Sequence, residues 1–223
     1  MIYKNDTCDK MTTDLKILGM ENGLHYEGIY TTISKDGIKD AAPIGINCKD
    51  NNKIGCRIFV GSTTLKNIQE TKEFIINITD DPIAFVKSTI GNLDKEDFTN
   101  DENIAMMKNA DAYIKCKVIS IEKMEPIADH INSHGEAYLI DSEVIEIIKN
   151  NKCAKALNRG FFSFLESLSN YTRLDIVDKE KQDYYVGRFN ENKRIINRVS
   201  DDKTKEAMDI LGNAMIKKGF NVD

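Results

Sequence analysis

Cysteine is sparse and scattered in this chain of 223 residues: Cys8, Cys48, Cys56, Cys116 and Cys153 are odd in number and include no close pair. A disulfide framework or a tetrahedral zinc site needs clustered cysteines, so reduced thiols are expected. Proline is rarer still, with three residues, and thirteen glycines complete a composition without low complexity. No stretch approaches the roughly 18 uninterrupted apolar residues of a membrane span. The first eleven residues lack the apolar run of a signal peptide. The expectation is therefore a cytoplasmic protein with no membrane partner. Positive charge is not in excess either. A formal charge of -5 with interspersed signs argues against a nucleic-acid footprint over the whole chain. Dinucleotide-type Gly-x-Gly-x-x-Gly, phosphate loop, nucleophile elbow and paired-cysteine motifs are missing as well.

What is present is a period-two pattern over the first two thirds of the sequence. Residues 24–33 read as a strand rich in β-branched and aromatic side chains, and Asp36-Gly37 is a strong hairpin signal. Residues 38–48 form the return strand, interrupted near Pro43, which places that residue at an edge or a bulge. Asn51-Asn52 closes a second turn before a third strand over 53–61. A short helix follows, then a buried strand at 74–78. Asp81-Pro82 opens a helix over 83–89, and 104–108 reads as a short helical turn. Two long alternating strands, 113–124 and 136–148, end this region.

After Asn150 the period changes to that of a helix. Leu157, Phe161, Phe164, Leu165, Leu168 and Tyr171 share one helical face, and residues 204–218 form a second amphipathic helix stopping at Gly219. The expected architecture is mainly β with α: a six-stranded Greek-key barrel over residues 1–150 and a helical region over 151–223. A barrel this small fills its interior with side chains, so a ligand must bind outside it, commonly in a groove shared with a second subunit.

The stretch from Ala42 to Ile68 carries the most chemistry. A strand runs through Arg57 into Ser62, Thr63 and Thr64, which open a helix. Hydroxyls and unpaired N–H groups at a helix start form an anion site, and the anion is usually a phosphate. An ordinary helix cap would use the same residues. His130 and His134 have the spacing of a helical metal pair but sit in a polar loop with no evident third ligand, and His25 alternates within a strand as a structural residue would.

In order and spacing, Asp40-Ala41-Ala42-Pro43-Ile44-Gly45, then Arg57 to Ile68, then Phe74-Ile75-Ile76-Asn77-Ile78 resemble the flavin reductase-like FMN-binding split barrel. That superfamily also contains pyridoxamine 5′-phosphate oxidase. Asn158-Arg159-Gly160 and Thr172-Arg173-Leu174 resemble an archaeal group carrying this barrel with a helical C-terminal region. Asp40 stands where flavin reductases often have Asn, and Gly45 where they have Ser.

The resemblance implies FMN as cofactor. Ala42, Pro43, Ile44 and Gly45 would line the ring and ribityl chain through backbone groups. Arg57, Ser62, Thr63 and Thr64 would hold the phosphate, with Thr64 and Asn67 matching a reductase motif. Asn77 would lie near the cofactor or brace the loop around it. Arg159 or Arg173 could reach the phosphate across a homodimer. The implied activity is NAD(P)H-linked flavin reduction, with a non-catalytic flavin binder, or a barrel holding deazaflavin or haem, as alternatives.

Overall fold

The computed structural model describes residues 12–124 and 136–222. His130 and His134 lie outside the described residues. Six antiparallel strands, β1 (His25–Ile33), β2 (Lys39–Asp50), β3 (Lys53–Phe59), β4 (Glu73–Ile78), β5 (Ala112–Lys123) and β6 (Ala137–Lys149), close in the order β1-β2-β3-β6-β5-β4. Two crossover helices, α1 (Thr63–Thr71) and α2 (Pro82–Ile90), flank β4, and α3 (Arg159–Tyr171), α4 (Lys179–Val199) and α5 (Asp202–Lys217) follow the barrel.

The turn chemistry accounts for the register. Gly37 sits at φ 78° in the first hairpin, a conformation open to glycine at no steric cost, and Ser34 N donates to Ile38 O across the loop. Asp50 pairs with Lys53, which leaves Asn51-Asn52 as a two-residue connection. Ser62 caps α1 by accepting from Leu65 N at 3.2 Å, and Asp81 caps α2 ahead of Pro82 by accepting from Ile83 N at 2.9 Å.

The barrel interior is filled by Leu15, Leu18, Tyr30, Ile46, Ile54, Ile76, Ile114 and Ile140, each with at most 1% of its surface exposed. Gly28 permits this packing. A Cβ there would lie 2.6 Å from Ile76 Cγ2 and 3.1 Å from Ile46 Cδ1, closer than side-chain carbons approach in a packed core. A second cluster around Ile29, Phe98, Met107 and Tyr113 lies under α2 and the loop after it. Residues 104–108 are not helical there. Met107 bridges to Phe98, and its N–H donates to buried Asn77 Oδ1, so a tertiary hydrogen bond overrides the local preference.

The helical region has its own core of Leu174, Phe189, Ile196, Met208, Leu211 and Met215. The helix α4 is absent from the expectations above. Its buried stripe, Phe189, Asn192, Ile196 and Val199, is thin and runs through a mostly charged segment. In α3 the expected face is only partly turned inward: Phe164 and Tyr171 pack against this core, and other members of that face do not. The small side, Gly160, Ser167 and Asn170, is buried, and Asn192 Nδ2 donates to Ser167 Oγ at 2.9 Å. Phe161, Phe162, Leu165 and Leu168 are exposed, because close approach of α4 requires small side chains at the contact. Leu157 is not in the helix; it bridges to Glu27 of β1. No described helix is long and apolar enough to cross a membrane.

Candidate functional site

Strand β2 defines the site by leaving one edge open. It pairs with β1 along Lys39–Asn47 but with β3 only from Asn47 to Asp50, so Ala42–Ile46 has no ladder partner on the β3 side. The backbone orientation on that edge follows from Glu27, which faces Gly45 across the β1–β2 pair. Glu27 N donates to Leu157 O at 2.9 Å, away from β2. In an antiparallel ladder its partner turns its polar groups outward too, and residues two apart share that direction. Gly45 N–H and C=O and the Pro43 carbonyl therefore point to the open edge. Proline is tolerated here because the N–H it lacks would face no strand.

A cleft of about 1060 Å³ lies along this edge. Ala42, Pro43, Ile44, Gly45, Arg57, Ser62 and Thr64 line it, as do His25, Glu27, Arg159, Arg194, Asn197 and Arg198. Arg57 packs over the Phe59 ring at 5.0 Å. Ser62 Oγ caps α1 and donates to Phe59 O at 3.0 Å. Thr64 donates to Asp40 Oδ2 at 2.7 Å, so its hydroxyl already has an acidic acceptor.

Three expected site residues are placed elsewhere. Thr63 begins α1 exposed and does not line the cleft. Asn67 is buried, and its amide donates to Thr32 Oγ1 at 3.0 Å. Asn77 is fully buried, donates to Ile29 O and Thr31 Oγ1, and accepts from Met107 N. Both amides are spent inside the fold, and Asn77 braces the loop that carries Met107. Arg173 donates to Ser169 at the end of α3 and does not line the cleft.

The other wall of the cleft comes from residues outside the motif-bearing stretch. Asn158 Nδ2 donates to His25 O at 3.1 Å and to Val199 O at 2.7 Å, tying β1 to the α4 end. Arg159 Nε then sits 3.2 Å from Glu27 Oε1. Burial raises the Glu27 pKa, and Arg159 opposes that rise. His25 is shifted the other way: burial lowers its pKa first, and the Arg198 and Arg159 charges lower it further. His25 Nδ1 is buried without a hydrogen-bond partner. Asn158 and Arg159 of this wall belong to a segment the family resemblance singled out; the signal for the rest, Arg194, Asn197 and Arg198 spaced to share one face of a helix, is hidden because the segment around them reads as charged rather than helical. No group of His, Cys, Asp and Glu able to hold a metal occurs among the described residues.

The architecture matches solved structures. An FMN-bound protein of Methanosarcina mazei is 27% identical with a TM-score of 0.52, covering 90% of this chain and 100% of that one. Flavoredoxin from Methanosarcina acetivorans is 16% identical, TM-score 0.45, with coverage of 63% and 80%. Component B of nitrilotriacetate monooxygenase from Bacillus cereus is 14% identical, TM-score 0.43, with coverage of 72% and 88%. The fold is a split barrel with a helical region. Two family models match successive parts of the sequence, at residues 26–145 and 158–213. The chain belongs to the family described as protein of unknown function DUF447, matching both its N-terminal domain and its C-terminal part.

Proposed function

We propose that this protein is a cytoplasmic, homodimeric FMN-binding flavoprotein that accepts electrons from NAD(P)H, with a barrel over residues 1–150 and a helical region over 151–223. The observation that carries the reading is the cleft along the open edge of β2, with a phosphate-competent helix start at one end. The residues present fit the group. Free backbone donors and acceptors of Gly45 and Pro43 suit the polar rim of a flavin ring, and the Arg57 guanidinium with the first-turn amides of α1 suits a phosphate. The orphaned Nδ1 of His25 adds a polar atom awaiting a partner. The FMN-bound Methanosarcina mazei relative supports the same cofactor.

Bound FMN would supply the redox chemistry, and the protein positions the ring and shapes its surroundings. Ala42–Gly45 would set the ring plane, Ile44 and Ile58 would keep one side apolar, and Arg57 with the first-turn amides of α1 would anchor the phosphate. The apolar side chains that α3 leaves exposed, Phe161, Phe162, Leu165 and Leu168, support pairing with a second copy through that helix. Sedimentation should give a dimer, and Leu165→Glu should yield monomers.

The decisive experiment compares FMN with riboflavin. Purified protein should be yellow or take up added FMN, and Arg57→Ala with Ser62→Ala should weaken FMN at least tenfold while leaving riboflavin unchanged. Protein that binds neither flavin overturns the reading. Steady-state NAD(P)H oxidation with free FMN as acceptor tests the reductase step separately.

A further inference from the structure

The cleft has a second cationic end that a single phosphate cannot use. Thr64, at the start of α1, is bonded to Asp40 near the beginning of β2. His25, at the other end, pairs with Asn47. Asp40 and Asn47 are separated by seven residues of one extended strand, or roughly 23 Å at about 3.3 Å per residue. The start of α1 is therefore distant from the arginines of α4, and Arg57, two residues past the Gly55 that pairs with Asn47, stands between the two ends.

The charge at that end is poised for an anion. Arg159 is paired with Glu27, Arg194 with Glu191 at 2.7 Å, and Lys49 with Asp141. Among the described residues no carboxylate pairs with Arg198. Arg194 and Arg198 are one turn apart on α4 and both line the cleft, with Asn197 beside them. His25, facing Arg198 and Arg159, keeps a buried nitrogen without a partner and is held toward its neutral form by burial first and then by the same charges. Guanidinium forks beside an amide bind phosphate oxygens bidentately, and since the carboxylates of Glu27 and Asp141 share the cleft, Arg198 carries most of the attraction.

We propose that the arginine face of α4, with Arg159 and His25, is a phosphoanion subsite for the second substrate, distinct from the site holding the FMN phosphate. It rests on the flavin reading for what occupies the other end. The two regions then divide the work, the barrel holding the cofactor and α4 holding the charged group of the molecule that meets it. A substrate bearing a phosphate or pyrophosphate would dock with that group on Arg198 and its reacting part toward Gly45.

The test titrates inorganic pyrophosphate into FMN-saturated protein by calorimetry, with the flavin spectrum recorded throughout. Pyrophosphate should bind with a salt-sensitive affinity. Arg194→Ala with Arg198→Ala should weaken it at least tenfold without changing FMN affinity, and Arg198→Lys should recover part of the loss. The subsite is overturned if pyrophosphate does not bind, if the double variant binds it normally, or if that variant loses FMN instead. The flavin spectrum of the wild-type protein reports the flavin reading by itself, and comparing pyrophosphate binding in wild type and double variant reports the arginine face in either case.

Discussion

Arg159 Nε lies 3.2 Å from Glu27 Oε1, joining the first residue of α3 to β1 at the mouth of the cleft. The pair links the helical region to the barrel where a backbone bond at Leu157 and the side-chain amide of Asn158 already do so. Arg159 is mostly exposed, so the pair contributes little stability, at most about 1 kcal/mol. Its larger effect is on Glu27, whose carboxylate is half-buried. Arg159→Ala should raise the Glu27 pKa further, since burial then acts unopposed, while the denaturation midpoint moves little. Carboxyl-detected NMR titration of Glu27 reads this directly; an unchanged pKa would show that the ion pair does not form in solution.

Gly28 should tolerate no side chain. The methyl of Gly28→Ala would collide with Ile76 Cγ2, and Ile76 is fully buried and cannot swing aside. Overpacking of this kind costs about 1–3 kcal/mol. Urea unfolding should show that loss, and Gly28→Ala with Ile76→Ala, which removes Cγ2, should cost less than the sum of the two single variants. If the single variant is as stable as wild type, β1 and β4 are not this close.

Asn77→Ala should destabilise the fold by roughly 1–3 kcal/mol, because it strands the buried Met107 N–H without an acceptor. Hydrogen exchange at Met107 should accelerate in the variant. FMN affinity, extrapolated to fully folded protein, should stay the same. A selective loss of FMN would instead place Asn77 at the cofactor.

His25 should make the protein less stable in mild acid. Its folded pKa is lowered from 6.5 by burial, then by Arg198 and Arg159, so the unfolded chain binds the proton more readily. Stability from this group is therefore complete above about pH 6.5 and is lost as pH falls through the folded value. Glu27, raised from 4.5, has the opposite sign: its contribution is present below that value and fades as pH rises through the folded one. The unfolding free energy of wild type should fall relative to that of His25→Gln as the pH drops through this window. Parallel curves would contradict the assignment.

The barrel was largely legible in the amino-acid pattern. All six strands, the Asp36-Gly37 and Asn51-Asn52 turns and the capped starts of α1 and α2 follow from period-two burial and local turn chemistry, which act over a few residues. The phosphate-competent stretch was visible for the same reason, since a strand, an arginine and a capping hydroxyl are contiguous. Helix α4 was not. Its apolar stripe is too thin among charges to be told from a solvated segment, and it becomes a helix because Phe189 and Ile196 meet Leu174, Met208 and Met215 from other segments.

Neighbours in the chain were enough to place an arginine-bearing strand beside a capped helix start within a strand-rich domain. Tertiary structure alone decided the rest. It spent Asn67 and Asn77 inside the core, where amides find partners on other strands. It turned the small side of α3 inward so that α4 could approach. It also brought Arg194 and Arg198 opposite a strand about 150 residues earlier in the chain. No local pattern encodes such a meeting, because it depends on barrel closure and on the docking of the helices through Leu157 and Asn158.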